Sequence, residues 1–281
     1  MSFRGVFVAG TDTGVGKTEI ARALLHLFAR EGLRPRALKP VETGCAPDAP
    51  EDALALRAAC GPPGDALALD RVCPYRFRMP AAPLVAAEAE GRAVDLEVLL
   101  AVAKESVAEG PLVVEAAGGL YVPLAREVAQ ASLEQADDAT APPAVLLATN
   151  LDLAERLGLP VLLVGRAGLG TINHCALSAG ALERRGLTVL AVVLDHTTAP
   201  ADDPTLATNA RMIAELTGLP VLGPLPFVAD AAARPAALSA LLEPVLLRLS
   251  GARAPSAAPA HLEVVSEPRT EQDGRAASSA R

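Results

Sequence analysis

Nearly continuous apolar runs alternate along this chain with segments of helical spacing. The apolar runs, which predict buried strands, occupy residues 6–9, 112–115, 159–165, 187–194 and 221–222, and a further strand is expected to end at 39–41. Strands that are apolar on both faces are typical of a parallel sheet covered by helices. The pattern therefore predicts an α/β fold, with a mostly parallel sheet of about seven strands and helices on both faces.

Apolar residues spaced three and four positions apart predict the helices between these strands. The first helix starts at Glu19 and ends at Gly32, just before Pro35, because glycine readily ends a helix and proline cannot continue one. The other predicted helices cover residues 52–60, 95–108 and 235–249, with one more between the strands at 159–165 and 187–194. Together these elements predict a single domain over residues 1–250.

Two segments lack this periodicity. Residues 129–143 mix Gln, Asp, Ala, Thr and Pro between two core elements, and we interpret them as a surface insertion. Residues 251–281 are rich in Ala, Ser, Pro and charge, a composition typical of disorder. That tail is either a simple solvated extension or an arm that docks a partner.

Composition narrows the class of partner. Hydrophobic residues make up 51% of the 281 residues, but aromatic residues only 2%, and the formal net charge is -8. A chain with this charge and so few aromatic rings is unsuited to binding nucleic acid or an anionic membrane. We therefore expect small-molecule partners, no nucleic acid and no membrane.

The sequence also predicts a cytoplasmic location. No run of 18 uncharged apolar residues occurs, and the start of the chain lacks the pattern of a signal peptide. The cysteines are far apart and form no Cys-x-x-Cys pair. We interpret them as reduced thiols rather than as zinc ligands or disulfides.

The most informative motif is the glycine-rich sequence GTDTGVGKT at residues 10–18, between the first strand and the first helix. Glycines let backbone N–H groups curl around phosphate oxygens, and the following helix N-terminus favours negative charge. Lys17 is suited to the β- and γ-phosphates, and the Thr18 hydroxyl to Mg²⁺. Five residues separate Gly10 from Gly16, one more than in the usual pattern, so the loop is a variant.

Polar residues at other strand ends are candidates for the same site, since ligands of doubly wound sheets bind at the carboxyl ends of the strands. Lys39 ends one strand, and Glu115 ends the apolar run LVVE. A buried carboxylate needs a cation, and Mg²⁺ prefers hard oxygen ligands. Asp52 is either a further ligand or a helix N-cap, and Lys39 by itself is either catalytic or merely solvated.

Together these motifs resemble the dethiobiotin synthetase family of P-loop ATPases. The resemblance covers residues 1 to about 230 and rests on GTDTGVGKT at 10–18, KPVETG at 39–44, EDALAL at 51–56, PY at 74–75, VVEAAGG at 113–119, LPVLLVG at 159–165 and LGTINH at 169–174. It implies an ATP- and Mg²⁺-dependent homodimer that closes a cyclic urea. In that reaction 7,8-diaminononanoate takes up CO2, supplied from bicarbonate, as a carbamate, ATP phosphorylates the carbamate, and the second amine displaces phosphate.

The resemblance also implies roles for individual residues. Lys39 is the implied catalytic residue, and the implied Mg²⁺ ligands are Thr18, Asp52 and Glu115. The implied substrate-binding residues are Thr11, Thr43, Gly170, Thr171, Ile172 and Asn173. The implied nucleotide-binding residues are Gly14, Val15, Gly16, Lys17, Thr18, Glu19, Asp52, Asp195, His196, Pro226, Phe227 and Val228.

Three of these assignments leave alternatives open. The segment from Gly168 to His174 opens a helix whose free N–H groups suit a substrate carboxylate, or it is an ordinary capped helix in which His174 packs. The apolar string at 226–228 either lines the base or belongs to the core. Asp195 stands where the family commonly has Asn, and a carboxylate only accepts hydrogen bonds, so we hypothesise relaxed or altered nucleotide choice, with GTP or CTP beside ATP.

The sequence fits three other functions less well. A partition-type ATPase switch carries an extra lysine early in the loop, where this chain has Asp12. A cobyrinate-type amide synthase normally adds a glutaminase domain, for which the residues after the last predicted helix leave no room. A catalytically dead ATP-binding module is opposed by the joint presence of Lys17, Thr18, Lys39 and Glu115.

Overall fold

The structure is a computed structural model that describes residues 4–128, 145–199 and 203–251. The insertion predicted at 129–143 and all of the predicted tail except Gly251 lie outside the described residues. The strands are β1 (Gly5–Gly10), β2 (Arg36–Leu38), β3 (Val41–Thr43), β4 (Tyr75–Phe77), β5 (Leu112–Gly119), β6 (Pro123–Val128), β7 (Val145–Thr149), β8 (Val161–Arg166), β9 (Val189–Asp195) and β10 (Val221–Leu222). The helices are α1 (Lys17–Arg30), α2 (Glu51–Ala59), α3 (Leu69–Val72), α4 (Pro83–Ala89), α5 (Leu96–Glu109), α6 (Asn150–Leu157), α7 (Thr171–Arg184), α8 (Leu206–Thr217), α9 (Arg234–Ser239) and α10 (Glu243–Leu249).

A central sheet carries six strands in the order β10-β9-β8-β1-β5-β2, and all its pairings are parallel. The α/β prediction is therefore confirmed, and the described residues form six strands of the central sheet where about seven were expected. Two small sheets accompany it: β3 pairs with β4 in parallel, and β6 pairs with β7 in antiparallel fashion. Neither the short parallel pair nor the antiparallel pair was anticipated.

Apolar side chains fill both faces of the central sheet, as predicted. Alternate residues of β1 point to opposite sides, because side chains alternate along a strand: Phe7 joins one core cluster, and Val6 and Val8 join the other. Helices α1, α2, α9 and α10 contribute to the cluster of Val6, whereas α4 to α8 contribute to the cluster of Phe7. In the described part of the chain, no helix has the length and apolar character needed to span a membrane.

The strand expected to end at 39–41 is divided in two. Strand β2 stops at Leu38, and Pro40 lies in the break before β3. Proline has no N–H to donate to a neighbouring strand. The backbone N–H of Lys39, just before it, donates to Val72 O of α3 at 2.7 Å. The chain then leaves the central sheet, and β3 pairs with β4 in the separate two-stranded sheet.

The single helix predicted over 235–249 is also wrong in detail. Helix α9 passes into a 3₁₀ turn at Ala240–Leu242, and α10 starts anew with Pro244 in its first turn. Proline is tolerated there, but in the middle of a continuous helix it would remove a hydrogen bond and clash with the preceding turn. The interruption is therefore a consequence of Pro244.

Candidate active site

The loops that follow β1, β5, β8 and β9 all leave the same edge of the sheet, because these neighbouring strands are parallel. The glycine-rich loop lies between β1 and α1. Gly16 precedes α1 with φ 95°, a left-handed conformation that suits glycine. A Cβ atom at Gly10 would lie 2.8 Å from Lys17 Cδ, so glycine there lets the lysine side chain fold back over the loop. Lys17 Nζ donates a hydrogen bond to Asp12 O at 2.8 Å.

Four predicted site residues meet beside this loop. Lys39 Nζ lies 2.7 Å from Asp52 Oδ2 and 2.5 Å from Glu115 Oε1. The Thr18 hydroxyl donates to Glu115 Oε1 at 2.8 Å, with Asp52 Oδ1 3.1 Å away. One hydroxyl, one ammonium and two carboxylates, drawn from α1, the end of β2, α2 and β5, thus form a continuous polar cluster.

The charges in this cluster are strongly coupled. Burial lowers the pKa of Lys39, but the attraction of Glu115 and Asp52 outweighs it, and the net shift is upward, so the ammonium stays charged. Burial raises the pKa of Asp52, and the charge of Lys39 reverses this into a net decrease. Burial lowers the pKa of Lys17 to about 8, and the nearby charge of Lys39 adds to the decrease. Two lysine ammonium groups close to one loop favour a polyanionic ligand there.

Glu42 holds the helix that carries Asp52. The N-cap residue of α2 is Pro50, which offers no side-chain cap. The carboxylate of Glu42 accepts hydrogen bonds from the backbone N–H of Asp52 at 3.1 Å and of Ala53 at 2.9 Å. Asp52 is the second residue of the helix and binds Lys39 and Thr18, so its alternative interpretation as an N-cap is wrong.

The donor set of the cluster fits Mg²⁺. Thr18, Asp52 and Glu115 offer only oxygen atoms, and Glu115 Oε2 is buried with no partner among the described residues. Within the described ranges, no group of three or more His, Cys, Asp or Glu side chains is placed to hold a metal. Mg²⁺ typically takes one or two carboxylates and completes its shell with phosphate oxygens and water, which agrees with a site of two carboxylates and a hydroxyl.

A second buried ion pair lies at the end of β9. Asp195 Oδ2 is 2.7 Å from Arg234 Nη2, which also donates to His196 O at 2.9 Å. Arg234 Nε lies 3.8 Å from Glu19 Oε2, and the guanidinium lies 5.8 Å from the centre of the Phe227 ring. The pair abuts the glycine-rich loop, because a Cβ atom at Gly16 would lie 2.2 Å from Asp195 Oδ2.

Comparisons with known proteins identify the family. A family model described as "AAA domain" matches residues 4–140 and 134–234. The ATP-dependent dethiobiotin synthetase of Anaeromyxobacter dehalogenans (strain 2CP-C) is 46% identical over 241 residues, covering 85% of this chain and 97% of that protein. The protein of the same name from Thermodesulfovibrio yellowstonii is 34% identical, covering 80% of this chain and 90% of that protein. The chain belongs to the dethiobiotin synthetase family.

Membership of the dethiobiotin synthetase family confirms the resemblance of the motifs, and it does not favour a partition-type switch or an amide synthase. A further relative of that name, from Bacillus thuringiensis (strain Al Hakam), is 36% identical over 79% of this chain and 83% of its own length. Among solved structures, the MinC:MinD cell division protein complex of Aquifex aeolicus matches with a TM-score of 0.49 and 12% identity, over 89% of this chain and 97% of that chain.

Most substrate-binding residues expected of a dethiobiotin synthetase follow β1 and β8 of the central sheet, whereas Thr43 ends β3 of the small parallel sheet. Gly170 is the N-cap of α7 with φ 90°, and Thr171 is buried with its hydroxyl 3.4 Å from Cys175 Sγ. Ile172 is half-buried and Asn173 exposed, whereas Thr11 and Thr43 are half-buried in the loop after β1 and at the end of β3. His174 is exposed, so the idea that it packs is wrong. No hydrogen bond or ion pair between described residues joins this set to Lys39.

The remaining residues predicted to bind the nucleotide lie in the glycine-rich loop and around Arg234. Gly14, Val15 and Gly16 form the loop beside Lys17, while Glu19, His196 and Phe227 surround Arg234. Pro226 is exposed and Val228 half-buried, so the alternative that the whole string at 226–228 is core is wrong.

Sequence reasoning missed Glu42 and Arg234. Glu42 belongs to the KPVETG motif, and its position between the predicted site residues Lys39 and Thr43 could have indicated a role in the site. Arg234 lies 39 positions after Asp195 in a segment that showed only helical spacing, and it had no comparable signal.

Proposed function

We propose that the protein is an ATP- and Mg²⁺-dependent dethiobiotin synthetase that converts 7,8-diaminononanoate and CO2 into dethiobiotin, with release of ADP and phosphate. The observation that carries this proposal is the meeting of Lys39 and Glu115 with Thr18 of the glycine-rich loop. A phosphate-binding loop by itself fits any nucleotide hydrolase. A second buried lysine beside it suits a reaction in which another anion attacks the γ-phosphate.

The reaction needs no nucleophile from the protein. One substrate amine adds to CO2 and loses a proton to give the carbamate, and a carbamate oxygen attacks the γ-phosphorus while the bond to the departing ADP breaks. The second amine then attacks the carbonyl carbon of the carbamoyl phosphate, forming the second C–N bond and expelling phosphate with loss of a proton. Lys39 is proposed to stabilise the negative charge of the carbamate and of the transferring phosphoryl group. The electrostatic effect of a compact ammonium on a nearby anion is largest where water is excluded, as it is around this buried side chain.

Lys17 and the backbone of residues 14–18 are proposed to hold the β- and γ-phosphates. Thr18, Asp52 and Glu115 would hold Mg²⁺, which when bound neutralises phosphate charge and orients the γ-phosphate. With these groups fixed in advance, catalysis consists of positioning and charge stabilisation.

The base of the nucleotide is proposed to lie near Glu19, Asp195, His196 and the segment 226–228. Asp195 Oδ1 is buried and unpartnered among the described residues, and a carboxylate oxygen there suits an amino group of a base. Adenine, guanine and cytosine all carry such a group. ATP is therefore the proposed co-substrate, with GTP or CTP accepted as well.

The N-terminus of α7 is proposed to hold the substrate carboxylate, with Thr11 and Thr43 contacting the rest of the diamine. This end of the helix favours negative charge through its free N–H groups and its dipole. Leu169, just before α7, and Leu177, on α7, are 77% and 65% exposed, and these exposed leucines support the proposed homodimer. The described cysteines are all free thiols, in keeping with the proposed cytoplasmic location.

One assay tests the proposed reaction. The purified full-length protein is supplied with 7,8-diaminononanoate, bicarbonate, Mg²⁺ and ATP, and both phosphate and dethiobiotin are measured, the latter by mass spectrometry. We expect phosphate release that requires the diamine and matches dethiobiotin one for one. Phosphate release that ignores the diamine would indicate an ATPase switch and contradict the proposal.

A further inference from the structure

We infer that Glu42 is a positioning residue for this site: it fixes the backbone of Asp52 so that the Asp52 carboxylate reaches Lys39 and Thr18. The identity of the reaction served rests on the proposed function, but the positioning itself is a property of the protein without ligands.

The N-terminus of α2 explains why such a residue is needed. The first N–H groups of a helix have no partner within the helix, and Pro50 caps none of them with its side chain. Glu42 is buried and accepts the N–H groups of both Asp52 and Ala53, each through a different carboxylate oxygen. A carboxylate at a helix N-terminus also interacts favourably with the helix dipole.

The position of Glu42 in the chain links this cap to the active site. Residues 39–43 hold Asp52 from two sides: Lys39 contacts its side chain at 2.7 Å, and Glu42 accepts its backbone N–H at 3.1 Å. The other carboxylate oxygen of Asp52 lies 3.1 Å from the Thr18 hydroxyl. In the part of the chain that the structure describes, no hydrogen bond or ion pair joins Glu42 directly to Lys17, Thr18 or Glu115. The hydrogen bonds of Glu42 therefore reach the site only through the helix that carries Asp52, beside a longer-range electrostatic interaction with Lys39.

Asp52 needs the hydrogen bonds to Glu42 because its side chain is more exposed than those of Lys39 and Glu115. Its side chain is 40% exposed, whereas those of Lys39 and Glu115 are 5% and 1% exposed. A half-exposed carboxylate on a short helix has little packing to hold it in place. When the backbone of Asp52 is fixed in advance, its carboxylate loses less conformational entropy on binding a cation.

Glu42→Gln is the primary variant, because it keeps the volume of the side chain. An amide group accepts through one atom only, so one of the two helix N–H groups loses its partner. Glu51→Gln is the matched control: Glu51 is an exposed carboxylate in the same helical turn and lies outside these hydrogen bonds. Glu42→Asp keeps the charge on a shorter side chain, and it takes the place of Glu42→Gln if that protein does not fold.

The first measurement is hydrogen exchange of the Asp52 and Ala53 amides in the full-length protein without ligands. We expect about tenfold faster exchange in Glu42→Gln, the effect of one lost hydrogen bond to a charged group, and no change in Glu51→Gln. Equal protection in the two variants would overturn the proposal. This result does not depend on which reaction the protein catalyses.

The second measurement is the Mg²⁺ concentration that gives half-maximal dethiobiotin formation. We expect an increase of about tenfold in Glu42→Gln, with the KM for the diamine within about twofold of the wild-type value. Adding Glu42→Gln to Asp52→Asn is expected to change the rate by less than about twofold, because residues that act through one contact are not additive. Fully multiplicative effects would contradict the role through Asp52, whereas a wild-type protein that forms no dethiobiotin would contradict the proposed function instead.

Discussion

The molecule contains two buried carboxylate–cation pairs at one edge of its sheet, and they differ in what surrounds them. Glu115 with Lys39 and Asp195 with Arg234 are similarly buried, and each leaves one carboxylate oxygen without a partner among the described residues. The first pair adjoins the half-exposed Asp52. The second is enclosed by Glu19, the carbonyl of His196 and the ring of Phe227. We therefore interpret a buried ion pair as part of a reaction centre only where a partly exposed neighbouring residue allows ligand atoms to reach it.

The cations of the two pairs differ accordingly. Lys39 carries a compact ammonium that can also stabilise the charge of a bound anion. The guanidinium of Arg234, by contrast, is held in a fixed geometry by Asp195 and the backbone carbonyl of His196. We therefore expect substitutions at the first pair to impair catalysis, and substitutions at the second to impair stability and the choice of nucleotide.

Arg234→Ala should give a large loss of stability. It leaves Asp195 as a buried carboxylate without its counter-charge, and breaking a buried pair from one side costs about 3–5 kcal/mol of unfolding free energy. Urea denaturation of the full-length protein measures this loss. Arg248→Ala, an exposed arginine on α10, is the control and should change stability little. A loss in Arg234→Ala as small as in the control would show that the pair is not structural.

Lys39→Ala should give the largest effect on turnover. We expect a decrease of about 10²–10³-fold in kcat, the usual effect of removing one group that stabilises transition-state charge. Nucleotide affinity, measured by calorimetry, should stay close to the wild-type value, because Lys17 is retained. By contrast, Lys17→Ala should abolish nucleotide binding. Near-normal turnover in Lys39→Ala would disprove the catalytic assignment.

The comparison also shows which features can be predicted from sequence. Lys17, Thr18 and Glu115 follow from local patterns, since each stands directly beside an apolar strand or at a strand-to-helix junction. Arg234 could not be predicted, because its partner Asp195 is distant in the chain and helical periodicity carries no information about ion pairing. The motif pointed to Glu42, but its capping role could be recognised only with the knowledge that α2 starts at Glu51 and has no side-chain cap of its own.

The same limit applies to the fold. Continuous apolar runs predicted five of the six central strands within a few residues, because burial on both faces leaves a strong signal. The strand before Lys39 was extended too far, since Pro40 interrupts a run that is otherwise compatible with one strand. The pair β6–β7 was not predicted, although Val145, Leu146 and Leu147 form an apolar run; these residues are exposed in the structure, so apolar character alone does not show whether a strand is buried.

Glu115→Gln should have an intermediate effect and would sharpen the role of the first pair. The amide oxygen can still accept the Thr18 hydroxyl, but the charge that attracts Lys39 and a metal ion is removed. We expect the Mg²⁺ concentration for half-maximal rate to increase about tenfold. Glu105→Gln on α5, whose side chain is 69% exposed, should leave that concentration unchanged. An unaltered Mg²⁺ requirement in Glu115→Gln would remove Glu115 from the proposed ligands.

Asp195→Asn should have the smallest effect and tests whether the second pair selects the nucleotide. The wild-type carboxylate only accepts hydrogen bonds, whereas an amide both donates and accepts, and Arg234 can still donate to its oxygen. We expect initial rates with GTP or CTP within about tenfold of the ATP rate in the wild type, and a shift of about fivefold toward ATP in the variant, roughly the value of one hydrogen bond. A strong ATP preference in the wild type, unchanged in Asp195→Asn, would show that the enclosed pair supports the loop through Gly16 without contributing to base selection.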